Sequence, residues 1–166
     1  MDEKCERITL SISINRLCKR SVDDFMSQLV HIDALSGLGK IWSKENFLLY
    51  MPGKWTLSLV AYSAHSIAAP DTSKDKTVIG YCIMSEKSPR CAHIHRLVVK
   101  TGERSCGIGT SLVKKAIDTT LVSGKYKFLS LKLPQNNKRL FKFYSGLGFF
   151  WIFSENSHKF MIATCE

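Results

Sequence analysis

Two histidines, His93 and His95, stand one residue apart in Cys91-Ala-His-Ile-His-Arg-Leu-Val-Val99. Imidazole titrates near neutrality, so such a pair can take a proton from a nucleophile that must become neutral before it attacks. Further along, Tyr144 joins an apolar ring to a polar hydroxyl. Between them lies the glycine-containing run Arg104-Ser105-Cys106-Gly107-Ile108-Gly109-Thr110. Glycines let a backbone approach a ligand closely, and the free N–H groups of a helix start attract phosphate. The spacing is neither that of a dinucleotide fingerprint nor that of a P-loop.

The elements that must position these residues follow from periodicity. Positions 91 to 99 alternate as a strand, with His93, His95, Leu97 and Val99 on one face and Ala92, Ile94, Arg96 and Val98 on the other. On that pattern the two rings lie about 7 Å apart. Apolar residues at Ile108, Leu112, Val113, Ala116, Ile117 and Leu121 form a helical stripe ending near Val122. Ahead of this unit, residues 7–15 alternate as an opening strand. A helix follows from Ser21 to Asp33, then a connector over 35–40 and a short helix from Ser43 to Tyr50. Residues 55–64 and 77–85 read as a hairpin of strands around a surface loop at 65–76, with Gly80 marking a bulge or a close approach. Beyond the central helix come a strand over 127–133, parallel to the fourth, a helix from Asn137 to Gly146, and a terminal hairpin over 149–153 and 159–164. The sum is one α/β domain over residues 1–166, a mixed sheet of seven strands with about four helices.

Composition is that of a globular domain, 45% hydrophobic and 23% charged, with a formal net charge of +10. That balance suits a polyanionic ligand, and equally nucleic acid or an acidic protein. The six cysteines, at 5, 18, 82, 91, 106 and 165, show no zinc-module spacing and are expected to be reduced thiols. With no leader-like start and no apolar run of membrane-spanning length, a cytoplasmic protein is expected, the nucleus remaining open.

The turn resembles the pyrophosphate-binding signature of the GCN5-related N-acetyltransferases, [Q/R]-x-x-G-x-[G/A], met by Arg104, Gly107 and Gly109 after a strand ending Leu97-Val98-Val99. Asn137, six residues, then Tyr144, followed by Leu147-Gly148-Phe149, resembles that family's later motif. Ala92-His93-Ile94-His95 is similar to a segment of the arylalkylamine N-acetyltransferases within it. The resemblance implies that acetyl-coenzyme A binds between splayed fourth and fifth strands. Leu97, Val98 and Val99 would meet the pantetheine arm, and Arg104, Ser105, Cys106, Gly107, Ile108, Gly109 and Thr110 the diphosphate. Asn137 would hold the coenzyme arm and Lys142 is one candidate for phosphate charge, beside Arg104, Lys138 and Arg139. Acetyl then passes directly to an amine, His95 with His93 behind it relaying the proton and Tyr144 protonating the thiolate. A small aromatic or alkyl amine is the implied acceptor, with a protein lysine or N-terminal amine as the alternative and a non-catalytic coenzyme-binding regulator as a third reading. No nucleic acid or membrane partner is implied. Cys106 departs from the family pattern, standing where a Gln, Lys or Arg usually precedes the first glycine. Other readings of the same residues are that Tyr144 is only core and that the histidines are satisfied interior groups. A metal-binding pair is a further reading, but the sequence shows no third ligand and none is expected.

Overall fold

The computed structural model describes residues 11–64 and 76–164. Its seven strands are β1 (Ser11–Arg16), β2 (Leu59–Ala64), β3 (Lys76–Ser88), β4 (Cys91–Val99), β5 (Phe128–Pro134), β6 (Phe150–Glu155) and β7 (His158–Thr164). They form one sheet in the order β1-β2-β3-β4-β5-β7-β6, antiparallel throughout except for β4 beside β5. The five helices are α1 (Lys19–Ala34), α2 (Lys44–Leu48), α3 (Lys54–Leu57), α4 (Ile108–Ile117) and α5 (Lys138–Ser145). The mixed sheet with parallel β4 and β5 agrees with expectation. The start of the opening strand, residues 7–10, and the loop at 65–75 lie outside the described residues, as do Cys5 and Cys165. The four described cysteines are free thiols. Among the described residues no helix is long and apolar enough to cross a membrane.

Two apolar layers clamp the sheet. On one side α1 sets Val22, Phe25, Met26 and Leu29 against Val60, Tyr62, Val78, Tyr81, Ile83 and Val98. On the other, Ile108, Leu112, Val113 and Ala116 of α4 pack with Leu59, Ala61, Cys82, Ala92, Ile94, Leu129, Leu131 and Tyr144. Alternation along the strands supplies both layers, because a strand buried on both faces must be apolar at every position.

Local chemistry moved several boundaries. Residues 54–57 turn as helix α3 instead of opening β2. Gly53, at φ 68°, starts the turn, and the Lys54 ammonium folds inward onto the carbonyls of Phe47 and Leu49. α1 begins two residues before Ser21, where Cys18 and Ser21 cap each other reciprocally, each side chain meeting the other's backbone N–H. The α-helix after Gly107 stops at Ile117 and continues to Val122 as a wider π turn. The hydroxyls of Thr119 and Thr120 bond back to the carbonyls of Lys115 and Ala116 there and compete with the regular ladder.

Gly80 is both of the things its position suggested. The β2–β3 register slips beside it, with Ala61 opposite Gly80 but Tyr62 opposite Val78. A Cβ at Gly80 would lie 2.9 Å from the Val98 carbonyl oxygen and 3.2 Å from Leu112. Its absence lets α4 settle onto the sheet directly behind β4. Gly80→Ala should therefore destabilise the fold by about 1–3 kcal/mol, the usual cost of overpacking, as read from the urea midpoint. An unchanged midpoint would mean that β3 and β4 have room to part.

Candidate active site

β4 is paired with β5 only from Cys91–Phe128 to Ile94–Leu131. Beyond that the strands diverge, and the backbone of 95–99 on that side has no strand partner. The divergence coincides with a bulge. Ile83 pairs with Arg96 and Met84 with Ile94, so His95 is an extra residue in β4. An inserted residue bends the strand and reverses the facing of everything after it. Leu97 and Val99 consequently join Ala92 and Ile94 on the α4 side, while Val98 and Arg96 face α1. Uniform alternation had put Leu97 and Val99 with the histidines. The bulge corrects that, and it brings the rings of His93 and His95 to 4.8 Å, edge to face, instead of about 7 Å.

Each imidazole is held by a serine. His93 Nδ1 lies 2.8 Å from Ser130 Oγ on β5, and His95 Nε2 lies 2.7 Å from Ser85 Oγ on β3. His93 is buried, and desolvation, assisted by His95, Lys87 and Lys132, pushes its pKa down to about 3. His95 is exposed and is shifted the same way, by desolvation first and then by Lys54, Lys87 and Lys132. Both rings are thus neutral at physiological pH, the form that can accept a proton. Tyr144 stands on the other side of the sheet, nearly buried, edge-on to Phe143 and Phe149. Burial raises its pKa, with a smaller contribution from Cys82, so its hydroxyl stays protonated. Cys82 pairs with Leu97, two residues past His95. Tyr144, in the α4-side core, and His95, bonded to Ser85, therefore lie on opposite faces of the sheet near the part of β4 that leaves β5, and neither is among the cleft-lining residues.

The open side of that stretch leads into a cleft of about 530 Å³. Of the expected coenzyme residues, Leu97, Val98, Val99, Arg104, Ser105, Gly107, Gly109, Thr110 and Asn137 line it. Ile108, Cys106 and Lys142 do not. Ile108 points into the core at 3% exposure and can offer only its backbone N–H. The Cys106 thiol turns back to the Arg104 carbonyl at 3.7 Å, and Lys142 yields its place to Arg139, Leu140 and Phe143. Positive φ at Ser105 and Gly107 curls the turn, and the first backbone bond of α4 runs from Ser111 to Gly107. The N–H groups of 108–110 thus have no acceptor among the described residues, as at any helix start. No side chain occupies the space beyond Gly107, where a Cβ would meet nothing within 4 Å. Asn137 spends its Oδ1 capping α5 at the Leu140 N–H and keeps its Nδ2 donors. Such a cradle, with apolar walls behind it, fits a diphosphate joined to a slender arm.

Arg104 does something the motif did not suggest. Its Nε donates to the Val99 carbonyl at 3.1 Å and its guanidinium to the Ser36 carbonyl at 2.9 Å. Arg96 likewise reaches the Lys40 carbonyl at 2.9 Å while pairing with Asp33. Asp33 is buried and also accepts from Tyr81 and from the Trp42 N–H. These bonds strap the α1–α2 connector along the cleft, so that Ser36 and Leu38 become lining residues. Sequence reading missed this wall because its members lie more than sixty residues apart in places. An acid in the apolar stripe of α1 was the available signal.

Two outcomes are expected. Gly107→Val, strained at φ 80°, and Gly109→Leu, whose side chain would enter the cleft between Val99 and Phe143, should each weaken coenzyme A binding by ~10-fold or more in calorimetry. Wild-type affinity in both would remove the turn from the binding site. His93 makes acid costly. Its folded pKa is depressed below the unfolded value, so the unfolded chain takes up more protons and stability falls as pH drops through ~6.5, levelling only below the folded pKa. Between about pH 7 and about pH 4.5, wild type should lose on the order of 2 kcal/mol more than His93→Gln in urea titrations. Parallel losses would mean that His93 is protonated in the fold.

The match to known proteins agrees with this architecture. The family model described as acetyltransferase (GNAT) family matches residues 34–149. Among curated proteins none matches the sequence. Similar solved structures include Ard1 from Thermoplasma volcanium, at 19% identity and TM-score 0.72, covering 93% of this chain and 98% of that one. The ribosomal-protein-S18-alanine N-acetyltransferase from Escherichia coli aligns at 15% identity and TM-score 0.68, over 93% and 94% of the two chains. The PaiA N-acetyltransferase from Thermoplasma acidophilum, solved with coenzyme A, aligns at 20% and 0.65, over 93% and 99%. At such identities the likeness is one of fold, and the family model, spanning most of the chain, carries the assignment: this chain belongs to the acetyltransferase (GNAT) family and is an acetyl-coenzyme A-dependent N-acetyltransferase.

Proposed function

We propose that the chain transfers acetyl from acetyl-coenzyme A directly to a primary amine, and that the acceptor is a small aromatic or alkyl amine. The observation that carries this reading is that His95 and Tyr144 lie on opposite faces of the sheet beside the splay of β4 from β5. The bound thioester supplies an activated acetyl group. Ser105, Gly107 and the helix start at 108–110 hold the diphosphate, Asn137 holds the arm, and free backbone N–H groups past the bulge polarise the thioester carbonyl.

The proton path follows from the two sides. An amine arriving as ammonium must lose a proton, and a neutral imidazole beside three lysines favours its neutral form. His95 accepts that proton. Its partner His93, with the lower pKa, serves to orient and to relay rather than to store charge. The amine nitrogen bonds to the carbonyl carbon, the carbon–sulfur bond breaks, and Tyr144 gives its proton to the departing sulfur. Solvent then returns the proton from His95 to the tyrosinate. No covalent enzyme intermediate is needed.

The small aromatic acceptor draws support from the histidine pair and from Phe153 and Phe160, stacked at 4.5 Å on the same face of the sheet as His93. A protein amine is the second reading, favoured by the openness of that face and by similar structures that include a ribosomal-protein-S18-alanine N-acetyltransferase and the NatC complex bound to Gag peptide and coenzyme A. Free-thiol release measured with a panel of arylalkylamines against peptides tests the choice. Higher kcat/KM on the small amines is expected, and peptide preference would reverse the assignment. Tyr144→Phe should lower kcat about tenfold or somewhat more with coenzyme affinity nearly unchanged, the low end for a general acid because thiolate leaves easily. Unaltered kcat would leave Tyr144 a packing residue.

A further inference from the structure

Among the described residues, the face that carries His93 continues across β5, β7 and β6, where Phe150 and Phe153 stay half-exposed. α1 packs on β3 and β4. Strand pairing puts His93, Ser130 and Ile162 in one row, and Lys132, Phe160 and Phe153 in the next row on that face, two residues along β5 and just past its last pair with β4. Lys132 is exposed as well. Lys87, at the end of β3, sets its Nζ 5.4 Å from the centre of the Phe160 ring. The approach to the histidines is thus an aromatic floor edged by two ammonium groups.

Apart from the contact of Lys87 with the Phe160 ring, neither ammonium has an acid partner among the described residues. The ion pairs among the described residues are Asp33–Arg96 and Glu86–Lys125. Glu86, the acid nearest in sequence to Lys87, is taken by Lys125 at 2.9 Å and by the Tyr126 hydroxyl at 2.9 Å. Lys54, by contrast, spends its ammonium on two carbonyls. Lys87 and Lys132 act on the imidazoles, since each contributes to lowering the pKa of His93 and of His95. A bare ammonium would be repelled along this route, whereas an acceptor carrying an anion would be drawn in and oriented.

We infer that the acceptor is an amine bearing a carboxylate beside an apolar body, the carboxylate held by Lys132 and Lys87 and the body lying on the Phe153–Phe160 pair. This rests on the small-amine reading above and specifies it. Charge complementarity selects the carboxylate, and the stacked rings select an aromatic or branched frame. The reaction is unchanged: the same nitrogen–carbon bond forms, and the anion takes no part in proton transfer.

Matched pairs that differ only in the carboxylate test this: phenylalanine against phenethylamine, and tryptophan against tryptamine, at low ionic strength, with acidic and basic peptides alongside. Wild type should favour the carboxylate member in kcat/KM by ~10-fold or more. Lys132→Gln with Lys87→Gln should bring the ratio towards unity, Lys132→Glu should invert it, and Lys132→Arg should keep it. Coenzyme A calorimetry reports that each variant is folded. Preference for the bare amines in wild type, or a ratio that the double variant leaves unmoved, overturns the inference while leaving amine acetylation in place. Preference for an acidic peptide over every free amino acid overturns the small acceptor. Coenzyme binding with no turnover on any member would refute the amine reading itself, and this one with it.

Discussion

The structure depends on two parallel strands that stay together for four residue pairs and then separate. Parallel strands normally continue until a loop ends them. Here an extra residue in β4, His95, bends the strand away while β3 still holds its other edge. The gap cannot close, because β5 is pinned to β7 along its whole length from Phe128–Thr164 to Pro134–His158. Backbone groups that a sheet would have consumed are left facing a cleft, and residues from both faces of the sheet lie beside the splay. α4 and α5 wall that gap and are themselves positioned by what packs behind β4. Gly80 is one such position, since a methyl group there would hold α4 off the sheet.

A second constraint is the buried carboxylate of Asp33. It lies in the last turn of α1, where intrahelical donors are absent, and it accepts from Arg96, from the Tyr81 hydroxyl and from the Trp42 N–H. Every one of those donors is satisfied through it, and no buried side-chain polar atom among the described residues is left without a partner. The hub therefore joins α1, β3, β4 and the connector to α2 in a single polar cluster within an apolar layer. It converts a flexible, glycine-containing stretch into a wall of the cleft. Losing one partner would leave a charge buried without its counterion, which is why such a cluster is all or nothing.

Much of this was legible in the residues. The period of two in 91–99, the stripe after Gly107 and the Asn137–Tyr144 spacing located β4, α4 and α5, and most of the expected cleft residues do line it. What escaped was anything set by pairing between strands. A bulge leaves no trace in one strand's own pattern, since Cys91–Val99 alternates in sequence whether or not His95 is looped out, and so the facing of Leu97 and the spacing of the histidines were misjudged. α3 escaped for a different reason. Residues 55–57 are good strand formers, and the positive φ of Gly53 together with the inward Lys54 ammonium on the Phe47 and Leu49 carbonyls turns them into a helix. The exit from α4 was decided by two threonine hydroxyls whose backbone bonds a hydropathy pattern does not register.

The commitment of Arg104 to the Val99 and Ser36 carbonyls changes how the cleft relates to its surroundings. With two of its five N–H donors given to the protein itself, Arg104 is fixed in place beside the phosphate end, where the peptide dipoles of the turn are joined by the remaining donors of Arg104 and by Arg139. Dipoles at contact distance act inside the range over which mobile ions can intervene, so on the proposed reading the share of the grip they supply responds little to ionic strength. The surplus of +10 works at longer range, where screening is strong. Capture of an anion and retention of it are thereby assigned to different parts of the molecule, the first strongly sensitive to salt and the second less so.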